Sequence, residues 1–170
     1  MGKSTHTTAL LMLGSNSDAL TYLRAALALL RQYCTVVAVS SVYQSAAEGS
    51  TAGSPPYLNA AVHVVTHQTV KAFKFDALRA IEAELGRRRD DSAVTIDLDI
   101  ALWGDTPITY GDENKRWHSP ATDILERAFV AIPLAEIAPD VIHPETGEPL
   151  AQIAARFAEN RLQNLGRLLD

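Results

Sequence analysis

Residues 93–103 read Ala93-Val94-Thr95-Ile96-Asp97-Leu98-Asp99-Ile100-Ala101-Leu102-Trp103, a mostly apolar run that carries two aspartates. Apolar runs of this length, rich in β-branched residues, predict a buried strand. Working outward from it, earlier segments predict three further strands and two helices, in the order β-α-β-β-α-β. This order is typical of an α+β, ferredoxin-like core, with two helices packed on one face of a four-stranded antiparallel sheet.

The remaining segments are placed by the same patterns. Helical spacing of Leu20, Leu23, Leu27 and Leu30 predicts the first helix, and Gly86 is expected to end the second. The Ser-, Ala- and Gly-rich stretch from Gln44 to Pro56 is expected to be a functional loop. The predicted strands are residues 8–13, 35–43, 58–66 and 93–103, and the second predicted helix is 70–85. A C-terminal helical extension is predicted at 124–137 and 150–158. We expect this extension to wrap the same core as the first two helices. We expect one domain over residues 1–170, with 1–7 as a flexible tail.

Composition narrows the class of protein. The chain has 170 residues, 47% of them apolar, with a net charge of −5 and one cysteine, Cys34. These proportions exclude a disordered chain or a disulfide-rich miniprotein, and the acidic surplus argues against a nucleic-acid partner. The apolar run at residues 9–13 is too short to span a membrane. We therefore expect a cytoplasmic protein with small-molecule partners, no membrane partner, and a monomeric or weakly dimeric state.

Asp97 and Asp99 lie two positions apart, so on a strand their carboxylates point to the same face. Two adjacent carboxylates repel each other unless a cation lies between them. Magnesium suits this place because it prefers oxygen and usually takes one or two protein carboxylates plus phosphates and waters. The alternative interpretation is a solvated polar face on an edge strand.

The run Arg87-Arg88-Arg89 precedes the aspartates closely in the chain. Arginine binds phosphate oxygens in pairs, and a metal site facing arginines is what phosphoryl transfer requires. An exposed basic turn, favoured at a helix C-terminus, is the alternative.

Asn59 lies near the start of the third predicted strand, just after Tyr57. A buried amide must satisfy both its donor and its acceptor, and a heterocycle with a mixed edge can do this while an aromatic ring stacks on its face. The alternative is an asparagine bonded to nearby backbone.

Together, and in this order, these clusters resemble the 6-hydroxymethyl-7,8-dihydropterin pyrophosphokinases of folate synthesis. The Thr-Ile-Asp-Leu-Asp-Ile run and the Pro-Leu-Ala-Glu-Ile-Ala-Pro run are distinctive in combination. The matching segments are Leu13 to Asn16, Ser41 to Ser45, Tyr57 to Ala60, Ile81-Glu82, Leu85 to Arg87 with Arg89, Thr95 to Ile100, Arg127 to Val130 and Pro133 to Pro139.

The resemblance implies a diphosphotransferase that moves a pyrophosphoryl group from ATP to the pterin hydroxymethyl and leaves AMP. It implies that Asp97 and Asp99 hold two magnesium ions and that Asp97 helps to activate the substrate hydroxyl. By the same resemblance, Arg87 and Arg89 are catalytic. The implied pterin-binding residues are Ser45, Tyr57, Asn59 and Phe129, and the implied ATP-binding residues are Glu82, Arg87, Arg89, Ile100 and Arg127.

The chain also departs from this family's pattern. The loop before Thr95 is shorter, lacks a tryptophan, and has Val94 where an arginine is expected. Ser45-Ala46 replaces a Thr-Pro pair, and Ala121 replaces a phosphate-contacting histidine, for which His118 is a candidate substitute. Arg88 is a candidate replacement for the loop arginine. These departures leave open an alternative: a divergent paralogue that binds pterin or nucleotide with little or no catalysis.

Overall fold

A computed structural model describes residues 5–45, 55–160 and 162–168 of the chain. The strands are β1 Thr7–Ser15, β2 Thr35–Val39, β3 Ser41–Ser45, β4 Tyr57–Thr66, β5 Asp97–Trp103, β6 Ile108–Gly111, β7 Arg116–Ser119 and β8 Gln163–Arg167. The helices are α1 Ala19–Leu30, α2 Val70–Ala72, a π-helical segment Phe73–Leu78, α3 Arg79–Glu84, α4 Asp123–Glu126, α5 Ala128–Ile137 and α6 Leu150–Ala155.

The main sheet has the strand order β5-β1-β4-β3-β8, and β2 also pairs with β4. Every pair in it is antiparallel. The predicted α+β fold, with helices on an antiparallel sheet, is confirmed. The sheet has six strands rather than four, because β8 adds to one edge and the second predicted strand divides into two.

The division of that strand occurs at Ser40. Its backbone N–H donates to the Ala61 carbonyl at 2.9 Å, and its Oγ accepts from the Ala61 N–H at 2.8 Å. The Ser40 hydroxyl also donates to the carbonyl of Ser41 at 2.7 Å. Because the side chain takes over a ladder contact, the regular pairing is interrupted here, and β3 continues beyond the predicted end to Ser45.

The second predicted helix forms a continuous helical run from Val70 to Glu84, with the π-helical segment in its middle. Thr69 caps its start, since its side chain accepts from the Ala72 N–H at 3.1 Å. After its end, Gly86 has a φ of 76°, as its predicted role in ending the helix requires.

Side chains of β1 alternate between two hydrophobic cores. Leu11 and Leu13 join the core under α1 and the 70–84 helical run, whereas Leu10 and Met12 join a second core under α5 and α6. The C-terminal helices were expected to wrap the same core as the first two. That expectation was wrong, because they build a separate core on the opposite face of the sheet.

Smaller boundary predictions also change. The fourth strand begins at Asp97 rather than Ala93, and the predicted helix 124–137 breaks where Arg127 adopts an extended conformation. Thr7, assigned to the flexible tail, already pairs with Thr66 in β1. Most of the predicted 44–56 loop, including Ala46, lies outside the described residues. In the described part of the chain, no helix combines the length and apolar character needed to cross a membrane.

Candidate active site

A cleft lies where the end of β1 meets the starts of β4 and β5, on the face of the sheet that carries the second core. Gly14 of β1 is opposite Asn59 of β4 on one side and opposite Asp97 of β5 on the other, and Met12 is opposite Asp99. Strand pairing alone therefore places an amide and two carboxylates around the end of β1. The cleft has a volume of about 450 Å³.

Several of the predicted site residues line this cleft, together with others that the sequence analysis did not select. The predicted ones are Ser45, Tyr57, Asn59, Asp97, Asp99, Ile100 and Phe129. The additional ones include Gly14, Lys74, Tyr110, Trp117 and Asp123, and the lining also contains His118 and Ala121, which the departures from the family pattern had already singled out. Glu82, Arg87, Arg89 and Arg127 are not among the lining residues; Arg87 and Arg127 pair with Asp97 and Asp123 of the lining, whereas Glu82 and Arg89 pair with each other.

Asp97 is bound by the first of the three arginines. Arg87 Nε donates to Asp97 Oδ1 at 2.8 Å, and its guanidinium also donates to the carbonyl of Arg88. Burial alone would lower the pKa of Arg87, but the hydrogen bond and charge of Asp97 outweigh it, so that this pKa lies above its ordinary value. Asp97, an expected metal ligand, and Arg87, an expected phosphate-binding residue, thus form an ion pair.

Asp99 has a different cation beside it. Lys74 Nζ lies 3.5 Å from Asp99 Oδ1 and donates to the Leu98 carbonyl at 3.2 Å. The lysine side chain is 5% exposed, whereas that of Asp99 is 69% exposed. The two carboxylates therefore each face one fixed basic group.

Glu82 is buried behind this region, with Oε2 accepting from Arg89 Nη2 at 3.1 Å. Its other oxygen, Oε1, is buried without a hydrogen-bond partner among the described residues. Burial raises the pKa of Glu82 to about 6, against the opposing charges of Arg89 and Lys74. Arg88, by contrast, is exposed and pairs only loosely with Asp90 and Asp91, each at 3.8 Å.

Asn59 supplies a polar group to the wall of the cleft formed by β4. Its Nδ2 donates to Ser45 Oγ at 2.8 Å and to the Tyr43 carbonyl at 3.4 Å. Burial, and then the negative charge of Asp97, raise the pKa of Tyr57, which keeps its phenol neutral. The structure thus brings Ser45, Asn59 and Tyr57 together on one wall of the cleft.

Phe129 lies on the opposite wall, at the start of α5, and packs against the second core. Arg127, just before it, has its Nε 3.9 Å from Asp123 Oδ1. Ile100 is buried at the base of the cleft.

The residues missed from the sequence lie on the Asp99 side. Tyr110 and Trp117 stack at 6.0 Å with an interplanar angle of 14°, and both line the cleft. Lys74 gave a readable signal, since it precedes Leu78 by four positions and Ile81 by seven and so lies on the apolar face of its helix. A lysine on that face predicts a buried charge that needs a partner.

His118 lines the cleft with both ring nitrogens engaged. Nδ1 is 3.1 Å from Thr109 Oγ1, and Nε2 is 3.3 Å from the Glu145 carboxylate. To contact a phosphate it would have to release one of these partners, so its role as a substitute for the histidine missing at Ala121 stays a prediction.

The carboxylate pair suits a magnesium ion. Among the described residues, no group of three or more His, Cys, Asp or Glu side chains could hold a metal by itself. Magnesium commonly needs only one or two protein carboxylates when phosphates and waters complete its shell. The donor set of Asp97 and Asp99 therefore fits magnesium carried with a nucleotide rather than a metal held by the protein alone.

Comparison with known proteins agrees with the resemblance seen in the motifs. Residues 10–139 match the family model described as 7,8-dihydro-6-hydroxymethylpterin-pyrophosphokinase (HPPK). The 2-amino-4-hydroxy-6-hydroxymethyldihydropteridine pyrophosphokinase of Haemophilus influenzae is 34% identical over 163 residues, covering 93% of this chain and 98% of the relative. The protein of the same name from Bacillus subtilis is 37% identical over 154 residues, covering 87% and 88%. The chain belongs to the HPPK family.

Solved structures support the fold. Plasmodium falciparum HPPK-DHPS in complex with pteroate superimposes with a TM-score of 0.74 at 13% identity, over 94% of this chain. The matched part is 44% of the Plasmodium chain, so this chain spans less than half of that protein. At this identity the likeness bears on the fold alone.

Proposed function

We propose that this chain is a diphosphotransferase of folate biosynthesis, which transfers the pyrophosphoryl group of ATP to the hydroxymethyl of 6-hydroxymethyl-7,8-dihydropterin and releases AMP. The observation that carries the proposal is the pairing of Gly14 with both Asn59 and Asp97. This pairing sets an amide and a carboxylate on two sides of one cleft, as reading a heterocycle edge on one side and binding metal on the other would require. An acceptor held at the amide therefore lies next to the groups that bind the donor phosphates.

The β4 wall is proposed as the pterin subsite. Asn59 would read the edge of the ring through Oδ1, since its Nδ2 donates to Ser45 Oγ and the Tyr43 carbonyl and these two contacts orient the amide. Tyr57 and Phe129 would hold the two faces of the ring, since both line the cleft. Stacking of this kind adds binding energy beyond simple burial.

The Asp99 side is proposed as the ATP subsite. Arg87 and Arg89 would bind and stabilise the phosphates, the first through its position beside Asp97 and the second from the rim. Glu82 would accept from the nucleotide through its buried Oε1, which has no hydrogen-bond partner in the described parts of the chain. Ile100 would supply an apolar contact, and Arg127 a further cationic one at the pterin side of the phosphates.

Asp97 and Asp99 are proposed to hold two magnesium ions together with the ATP phosphates. Bound there, magnesium would neutralise charge on the transferred group and help to hold it in line with the acceptor. Because Arg87 and Lys74 already neutralise the two carboxylates, the protein can hold this pair in place before nucleotide arrives.

The transfer moves one proton, forms one bond to phosphorus and breaks another. The hydroxymethyl oxygen of the pterin attacks the β-phosphorus of ATP, and the bond from that phosphorus to the α,β-bridging oxygen breaks, so that AMP leaves with the electron pair. Asp97 is proposed to accept the hydroxyl proton, since it lies between the amide wall and the phosphate side of the cleft. Arg87 then offsets the charge that develops on the phosphates.

The decisive test mixes purified protein, ATP, magnesium and 6-hydroxymethyl-7,8-dihydropterin, and follows AMP and pterin diphosphate by chromatography. We expect both products in equal amounts, dependent on magnesium and on the pterin. Absence of AMP above background, with nucleotide or pterin binding kept in calorimetry, would instead support the non-catalytic paralogue. A cytoplasmic location and a monomeric or weakly dimeric state stay predictions.

A further inference from the structure

Lys74 occupies a position that normally belongs to an apolar residue. It lies in the π-helical segment on the buried side of the helical run, between Phe73 and Ala77, and its side chain is 5% exposed. Burying an ammonium group in such surroundings is costly unless it is paired and hydrogen-bonded. A lysine placed here therefore calls for a reason beyond packing.

The contacts that Lys74 makes leave part of its hydrogen-bonding capacity for a ligand. An ammonium group has three donors. One donates to the Leu98 carbonyl at 3.2 Å, and the separation from Asp99 Oδ1 is 3.5 Å, which is long for a charged pair. The Trp117 ring, with its centroid 5.7 Å from Nζ, supplies a further favourable surface for a cation.

The two members of the Lys74–Asp99 pair differ in freedom. β5 forms one edge of the sheet, and Lys74 is held in place by its hydrogen bond to the Leu98 carbonyl of that strand. Asp99 is 69% exposed and can turn towards a metal without losing solvent contact. When it does so, the ammonium stays in the lining of the cleft, without its carboxylate.

Charge balance then determines what the ammonium binds. Asp97 and Asp99 carry two negative charges, and Arg87 and Lys74 carry two positive ones, so the four groups sum to zero formal charge. Magnesium at the carboxylates makes this region positive. The group that restores neutrality is an anion, and the polyphosphate that arrives with the metal supplies it.

We propose that Lys74 is a nucleotide-binding residue, whose ammonium exchanges Asp99 for a phosphate oxygen of ATP when Asp99 turns to magnesium. The assignment rests on the proposed function and adds a residue to the site that none of the motifs contains. It gives the ATP subsite a cation fixed in the helical run, in addition to the arginines that follow α3.

The test is calorimetric binding of magnesium with α,β-methylene-ATP, a probe that cannot be cleaved at the reacting bond, to the wild type and to Lys74→Met. Methionine keeps most of the length and packs against apolar neighbours. Loss of one charge-assisted contact predicts a dissociation constant raised about 10- to 100-fold. Lys71→Met, the same change at an exposed site in α2, is the matched control and should stay within about threefold of the wild type, since exposed charges contribute little.

Three results would overturn the assignment. Wild-type affinity in Lys74→Met would show that the ammonium does not touch the nucleotide. Tighter magnesium binding without nucleotide, at unchanged nucleotide affinity, would reduce Lys74 to a counter-ion of Asp99. Absence of binding by the wild type would overturn the proposed function as well, whereas the first two results leave it standing. If Lys74→Met does not unfold cooperatively, Lys74→Gln, which keeps a donor for Leu98, takes its place with the same expectations.

Discussion

Asn16 forms hydrogen bonds with both the backbone N–H and the backbone carbonyl of Val94. The Val94 N–H donates to Asn16 Oδ1 at 2.6 Å, and the Asn16 N–H donates to the Val94 carbonyl at 3.0 Å. Ser15 Oγ donates to the same carbonyl at 3.2 Å. The short loop before β5 is thereby tied to the end of β1, three residues before Asp97.

Replacing Asn16 by alanine should loosen this loop. The Val94 N–H is buried and would lose its acceptor, which commonly costs about 1–3 kcal/mol. We expect faster hydrogen exchange at the Val94 amide, with the Leu98 amide in β5 as the internal control. Equal protection of Val94 in both proteins would contradict a clamping role for Asn16.

Asp97→Asn should remove most of the activity. The change takes away a proposed metal ligand and the proposed base, and general-base catalysis alone is commonly worth about 100-fold or more in rate. The AMP assay measures the loss, and Asp105→Asn, an exposed carboxylate outside the cleft lining, is the matched control. Activity within about threefold of the wild type would rule out both roles, since even one of them is worth far more.

Gly14 offers a graded test of the pterin subsite. A Cβ at this position would meet Asn59 Oδ1 at 3.5 Å and Tyr57 Cδ1 at 3.9 Å, which are ordinary contacts. Gly14→Ala should therefore bind pterin almost normally, whereas Gly14→Leu should fill the space and weaken binding about 10- to 100-fold, the usual range for overpacking. Fluorescence titration with the pterin measures both, and equal affinities would place the ring elsewhere.

Glu82 should make stability depend on pH. Its carboxyl pKa is raised by burial from 4.5 to about 6, so the folded state binds the proton more tightly than the unfolded state. Its contribution to folding is thus fully present below about pH 4.5 and is lost as pH rises through 6. The difference in the free energy of unfolding, Glu82→Gln minus wild type, should therefore rise by about 2 kcal/mol from pH 4 to pH 7.

Urea unfolding of both proteins across that range measures the difference. Glu84→Gln, an exposed carboxylate in the same helix, is the control and should show no such trend. A Glu82→Gln difference that is constant with pH would mean that the carboxyl is not perturbed by burial.

The sequence predicted the order of strands and helices along the chain up to β5, and the carboxylate pair, because both depend on local periodicity. Alternation along β5 was enough to put Asp97 and Asp99 on one face. Ser40 could not be predicted to break a strand, because its effect depends on the distant Ala61 backbone. The second core was missed for a similar reason: periodicity shows that a segment is buried but not which face of a sheet it covers.

For the candidate site, the motifs gave the residue types and the structure gave their partners. Arg87 and Arg89 were given the same catalytic role from the sequence, yet of these two, in the described part of the chain, it is Arg87 that binds Asp97, while Arg88 turns to solvent. Tyr110 and Trp117 come from a small second sheet, β6 with β7, whose position over the cleft no local pattern indicates.

The alternation of β1 between two cores has a consequence for how the chain can vary. A shift of one residue in its pairing would exchange every side chain between the two faces, so its register with β4 and β5 is strongly fixed. Gly14, Asn59 and Asp97 lie in that paired region, whereas residues 90–93 lie outside the strands. The loop at residues 90–93 can therefore gain or lose residues while the spacing of the amide and the carboxylate across β1 is kept.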